Sequence, residues 1–362
     1  MRKIDEYQSY IAVNNLVPTL MKIETNKINS CGFRLPRKAS LSLAIIGALS
    51  APITHGAITI DTVLVGDAGN AADTTGFGAV NYNYNIGTYE VTNSQYAAFL
   101  NAVAATDTYD LFKSSLRVNS DKAILRSGSD GNYTYQPVSG EEDHPVGFVD
   151  FWSAARFANW LTNGQPTGAQ DNSTTESGAY TLTASGISNN TVSRGNWFDP
   201  SSGNTSTQTV FAVTSRDEWY KAAYFDGSGG YFNYPTGSDD QPTKSEANWF
   251  GSGFEDVGYS VPSPYGTYDQ GGNQREWTDD RVIVNDIELG NIDGRNLVGG
   301  HYGANHWDMQ SNRSTPTSSD NDLSSIGFRV TSLAPIPEPS TYAAIFGVLG
   351  LGIALIYRRR RN

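Results

Sequence analysis

The 362-residue sequence predicts an α+β fold with much irregular structure, on three observations. Three segments pass from a short strand pattern into a helix pattern. Two long polar stretches rich in Gly, Ser, Thr and Asn, 127–142 and 163–207, read as surface loops or irregular hairpins. The 37 glycines and 15 prolines favour a turn-rich chain over a helical bundle.

The first segment alternates from Tyr82 to Thr92 as a strand and continues as a helix from Asn93 to Val103. Its Tyr96, Phe99, Leu100 and Val103 fall at i, i+3, i+4 and i+7, on one face, with Thr92 or Asn93 as the cap. The second runs from His144 to Leu161, strand first, then a helix with Ala154, Phe157, Ala158 and Leu161 on a stripe. The third begins with the strand Val210–Val213. It continues from Ser215 to Tyr224 as a helix opened by a Ser215/Glu218 capping box, in which each side chain satisfies an orphan amide of the first turn. A loop-rich half with few helix signals follows.

Both ends read as processing signals. Arg34, Arg37 and Lys38 precede an apolar run from Ala39 to Ile53 and then small residues, the order of a secretory signal peptide spanning 1–56. The stretch ahead of the basic flank is long for such a signal, and an internal start at Met21 would make residues 1–20 an over-extension. At the other end, 335–362, Pro337-Glu338-Pro339 is followed by an uncharged run from Tyr342 to Tyr357 and by Arg358 to Arg361. As a helix, 342–357 would reach about 24 Å, short for a bilayer but extendable by snorkelling Tyr and Arg anchors. The arginines favour a C-terminus on the cytoplasmic side, with the body, 57–334, outside.

Composition narrows the function classes. The lone thiol, Cys31, lies inside the signal segment, so the body has neither a disulfide framework nor a cysteine-rich zinc site. Residues 1–56 hold 7 basic and 3 acidic side chains and residues 338–362 hold 4 and 1, which leaves the stretch between them a net charge of −19. Such a body repels nucleic acid and anionic headgroups. There is no GxGxxG after a strand, no P-loop, no HExxH and no GxSxG elbow.

A series of short motifs carries a resemblance. They are Tyr89-Glu-Val-Thr-Asn with Tyr96 and Phe99; His144-Pro-Val with Ala154 and Trp160; and Ser215, Glu218, Trp219 with Ala222-Ala223. After these come Ala247-Asn248-Trp249, then Tyr265-Gly with Tyr268-Asp269, Asn273, Glu276-Trp277 and Asp280. Val298-Gly-Gly300, Arg313 and Gly327-Phe-Arg329 complete the series. In this order they resemble the formylglycine-generating enzyme (sulfatase-modifying factor) family over about 82–331. That resemblance implies a compact α+β domain related to C-type lectins. The Pro-Glu-Pro, apolar run and arginine cluster resemble the PEP-CTERM sorting tail. This second resemblance implies cleavage by an exosortase-type peptidase after export through the inner membrane. The protein would be held first by the C-terminal helix 342–357, then move to the outer envelope or beyond.

The family's catalytic copper is held by two cysteines, and their positions here correspond to Ala304 and Met309. Alanine offers no ligand and one thioether is not a two-thiolate site, so copper and formylglycine-generating activity are not expected. The resemblance also implies calcium, held by the side chains of Asp269 and Glu276 and the backbone oxygens of Gly272 and Gln274. A second site would begin at Asn248 and the carbonyl of Trp249, with Asp256 as a substitute ligand. A solvated acidic turn, with Asn273 capping locally, is the other reading of these residues. A different branch of the family uses non-haem iron, which here would need a mononuclear centre near His301, His306 and Asp308. Candidate ligand-binding residues are His301, Tyr302, His306, Trp307 and Arg313. Exposed aromatics beside polar groups stack on sugars or hold peptide. The expectation is therefore a calcium-stabilised binding or structural module of the envelope or matrix, facing a polysaccharide or peptide. A metal-dependent oxidoreductase is the alternative.

Overall fold

The computed structural model describes residues 57–113, 123–195, 209–286 and 290–333. The chain divides into Met1–Pro52, none of which is described, and Ile53–Asn362, which contains every described residue. The expected signal segment therefore lies outside the described residues.

The three predicted helices form. Helix α1 (Asn93–Val103) starts at a reciprocal cap: the Gln95 amide donates to Thr92 Oγ1 (3.3 Å), and the Thr92 amide donates to Gln95 Oε1 (3.0 Å). Tyr96, Phe99, Leu100 and Val103 are all buried. Helix α2 (Phe151–Thr162) is capped by Asp150, which accepts from the Ser153 amide at 2.7 Å. It is buried all round from Phe151 to Leu161, not along a single stripe. The two long polar side chains of that run are satisfied internally, as burial requires. Arg156 pairs with both Glu176 oxygens (2.7 and 2.9 Å), and Asn159 donates to the Thr175 and Tyr180 carbonyls. Helix α3 (Ala184–Ser188) is a single short turn inside one of the polar stretches. Helix α4 (Arg216–Tyr224) opens at the Ser215/Glu218 capping box.

Strands β1 (Thr62–Val65), β2 (Tyr84–Gly87), β5 (Val210–Val213) and β10 (Val330–Leu333) form a sheet in the order β1-β2-β10-β5. Strands β3 (Ile124–Ser127) and β4 (Thr134–Pro137) make a hairpin that leads into the first polar stretch. A second sheet, ordered β8-β7-β6-β9, holds β6 (Arg275–Asp286), β7 (Gly290–Val298), β8 (Thr315–Ser318) and β9 (Ile326–Gly327). The antiparallel β6–β7 ladder, with a bulge between Trp277 and Arg281, lies in the loop-rich half, where the sequence shows few helix signals. The strand expected from His144 onward reduces to one bridge, Thr92 to Pro145. The main core gathers Tyr96, Phe99, Phe157, Trp160, Trp277 and Phe328 between α1, α2 and the two sheets.

One expectation is corrected. The run 342–357 lies outside the described residues, and among the described residues no helix is long and apolar enough to cross a membrane. The longest of these helices, α2, has 12 residues, about 18 Å of rise against a hydrocarbon core of about 30 Å. A transmembrane helix is therefore not part of the described fold, and membrane anchoring of the C-terminus is not retained.

Candidate functional site

The segment after β7 carries the residues that the sequence singled out. Gly299 and Gly300 both adopt positive φ (88° and 76°). At Gly300 a Cβ would press on Asp308 and Met309, so glycine is needed for the turn that brings 301–309 back over the sheet. A turn at 301–304 leads into a 3₁₀ turn, His306–Met309. The segment pairs with the loop after Trp249: the Phe250 amide donates to the Ala304 carbonyl (2.8 Å) and the Gly251 amide to the Tyr302 carbonyl (2.6 Å).

These pairings set out a band of rings. Trp249 meets His306 edge-on at 5.4 Å, His306 meets Trp307 at 5.4 Å, and Phe254 meets Tyr302 at 4.8 Å. Phe250 and Trp307 are 60% and 47% exposed, an unusual position for large apolar rings unless they meet something. Lys244 lies over Trp249 and Phe250, 5.7 and 5.0 Å from the ring centroids, and donates to the Phe250 carbonyl at 3.0 Å. His301, Tyr302, His306 and Trp307 are thus brought together. Arg313 is not: it is exposed, its carbonyl accepts weakly from Arg216 Nη2 (3.4 Å), and among the described residues its guanidinium meets no ring or carboxylate. Phe250 and Phe254 were missed, and only their place in an aromatic-and-glycine loop signals them.

Ala304 and Met309 are buried within this segment. Ala304 carries no ligand atom on its side chain. Met309 packs with Tyr234 and Ala247, and its carbonyl accepts from Tyr224 Oη at 3.0 Å. Its thioether therefore serves the core.

The histidines do not converge on a metal. His301 Nδ1 accepts from the Gly303 amide (3.1 Å), His306 Nδ1 pairs with Tyr234 Oη (2.9 Å), and Asp308 binds Arg275 (3.2 Å). Partial burial, helped by Arg275 and opposed by Asp308, pushes the His301 ring down to about 4. The ring is therefore neutral at physiological pH. Because its folded value lies below the unfolded 6.5, its contribution to stability is complete above pH 6.5 and is lost as pH falls towards 4. Titration of the His301 ring proton by NMR is expected to give a midpoint near 4, and His301→Gln should remove that acid-side slope. A midpoint near 6.5 would contradict this.

The calcium expectation is overturned by how the same residues are used. Glu276 spends both oxygens on nitrogen donors: Arg329 Nη2 (2.7 Å) on Oε1, and Arg329 Nε (2.7 Å) with Trp219 Nε1 (2.8 Å) on Oε2. Asp269 accepts from the amides of Ser260 (2.8 Å) and Gly258. Gly272, at φ 88°, lies so close to the Asn248 carbonyl that a Cβ could not fit, and that carbonyl takes the Asn273 amide at 2.8 Å. The Asn248 side chain donates to Gly253 and Asn273, Gln274 donates to the Val146 carbonyl (2.8 Å), and the Trp249 indole donates to the Pro242 carbonyl. Asp256, the suggested substitute, faces His144 Nε2 at 3.5 Å. Calcium needs six to eight converging oxygens. Here the carboxylates are aimed at N–H groups instead. Among the described residues no group of three or more His, Cys, Asp or Glu is arranged to hold a metal ion, which also removes the iron alternative.

Around this knot lies a buried charge cluster. Burial, reinforced by Asp269, pushes the Glu90 carboxyl well up, and burial also raises Asp269. Burial works against the Arg329 charge, but Glu276 holds its pKa above the ordinary value.

Residues 53–333 match the model of the sulfatase-modifying factor enzyme 1-like domain, and residues 335–361 match the PEP-CTERM protein-sorting motif. No curated protein matches the chain. Among solved structures, the chain is similar to CarF at 22% identity and TM-score 0.47, covering 77% of this chain and 99% of that one. It is similar to Treponema denticola variable protein 1 at 19% and 0.47, covering 77% and 96%. For PvdO from Pseudomonas aeruginosa the values are 16% and 0.42, covering 76% and 91%. The sorting motif marks an exported, surface-directed chain. With the family model matched across nearly the whole body, the chain belongs to the sulfatase-modifying factor enzyme 1-like family.

Proposed function

We propose that this chain is a non-catalytic binding module of the cell envelope, and that an extracellular polysaccharide lies along the band formed by Phe250, Tyr302, His306 and Trp307. The observation that carries this reading is the exposure of Phe250 and Trp307 on one band of rings. Ring faces stack on the C–H faces of sugars, and neighbouring amides and imidazoles orient the hydroxyls. The lectin relationship of the fold belongs to this reading. An exosortase-type peptidase acting at Pro337-Glu338-Pro339 would release the module at the surface.

An oligosaccharide panel applied to the full chain tests the reading. Binding is expected, and Trp307→Ala should weaken it roughly tenfold, about 1.4 kcal/mol. Binding that ignores Trp307→Ala, or a peptide ligand in place of every glycan, would refute the polysaccharide. A cysteine-containing sulfatase-motif peptide supplied with Cu(I) is expected to remain unoxidised. Its conversion to the aldehyde would refute the non-catalytic assignment.

A further inference from the structure

A cavity of about 170 Å³ opens beside the aromatic band and shares Phe254 and Tyr302 with it. Phe148 and Pro145 complete its apolar wall, and Asn93, Glu141 and His144 supply polar groups. Among the described residues, no lysine or arginine lines it.

Its polar atoms are mostly acceptors. Asn93, 1% exposed, donates its amide nitrogen to the Glu141 carbonyl (2.8 Å), while its Oδ1 has no partner. A buried unpartnered acceptor costs stability unless something donates to it. His144 lies between two carboxylates, Glu141 at Nδ1 and Asp256 at Nε2. Glu141 itself lines the cavity, and Asp256 follows two lining residues, Gly253 and Phe254, and reaches the site through His144.

The N-terminus of α1 also borders the cavity and by itself would favour an anion. Its amides are already spent: Asn93 on the His144 carbonyl (3.0 Å), Ser94 on the Glu142 carbonyl (3.1 Å), Gln95 on Thr92. An anion would find carboxylates and filled amides. A cation would find carboxylates, an open amide oxygen and ring faces.

We propose that this cavity is a subsite for a small organic ammonium group. Its volume holds about six waters' worth of liquid, enough for an amine on a short carbon chain or for one edge of an amino sugar. The ammonium donates to Asn93 Oδ1 and is balanced by Glu141, with Asp256 adding negative charge behind His144, and its carbon chain lies against Phe148, Phe254 and Tyr302. The subsite goes beyond the polysaccharide reading and does not require it.

Calorimetric titration of the full chain with n-butylamine, against 1-butanol as the uncharged isostere, tests the proposal. Butylamine is expected to bind at least tenfold more tightly than butanol. Glu141→Gln and Phe254→Ala, both at partly exposed positions, should each weaken it by about tenfold. Equal affinity for amine and alcohol, or amine binding unchanged in Glu141→Gln, would overturn it. Glucosamine compared with N-acetylglucosamine identifies the source. A preference for the free amine sugar over butylamine points to a glycan, and the reverse order to an aliphatic amine. Oligosaccharide binding at the band that persists while amine binding fails removes the subsite and leaves the band standing.

Discussion

Replacing Arg329 with methionine is expected to lower the unfolding free energy by about 3–5 kcal/mol, the cost of leaving buried charge without its partner. The guanidinium is fully buried and touches three segments of the chain. It holds Glu276 through two 2.7 Å bonds, donates to the Tyr268 carbonyl at 2.8 Å and to the Gly87 carbonyl at 3.0 Å, and lies 3.9 Å from Glu90. Without it, Glu90, Asp269 and Glu276 remain buried together with no cation. Pairing Arg329→Met with Glu276→Gln should recover part of the loss, since the mutual dependence of the pair, and not the volume of either side chain, sets the penalty. Urea denaturation of the single and double variants measures both terms. A single variant within about 1 kcal/mol of the parent would show that the cluster is not held by this pair.

Phe157→Ala is expected to cost about 3–5 kcal/mol through the cavity it leaves in the main core. The ring is fully buried where α1 and α2 meet Phe328, which lies between β9 and β10. It meets Phe99 edge-on at 5.4 Å, Phe328 edge-on at 5.3 Å and Trp160 at 5.8 Å, and stacks on Tyr96 at 6.1 Å. Four rings, two on α1, one on α2 itself and Phe328 near the second sheet, are held by their own packing and cannot all collapse into the same void, so relaxation recovers little. Thermal unfolding followed in the near ultraviolet reports both the lost stability and the lost aromatic packing. A shift equivalent to less than about 1 kcal/mol would mean that the cluster repacks around the gap.

Much of the fold was legible because it is written in short-range interactions. The Ser215/Glu218 box and the stripe of Tyr96, Phe99, Leu100 and Val103 depend on neighbours within one helical turn or two. The β6–β7 ladder was not legible. Val282 and Ile283 alternate only locally, and their pairing with Gly294 and Asp293 depends on residues about ten positions away. The full burial of α2 was hidden for a related reason. Arg156 and Asn159 look like a solvated face until Glu176 and the Thr175 and Tyr180 carbonyls arrive from a later loop.

By itself the sequence determined the family-like series of motifs, the negative body, and the absence of a cysteine pair, because these depend on which residues are present and in what order. It also marked Asp269 and Glu276 as a functional pair of carboxylates, and there the tertiary structure decided differently. A carboxylate serves a cation or an N–H donor equally well, so its residue type does not reveal which one it meets. That choice was made by Arg329, 53 positions beyond Glu276, and by Trp219, 57 positions before it, together with the amides of Gly258 and Ser260 around Asp269. The same long-range folding set the loop 249–254 against 301–304 and placed Phe250, Tyr302 and Trp307 in one exposed band, a juxtaposition that exists only once two distant backbones share hydrogen bonds.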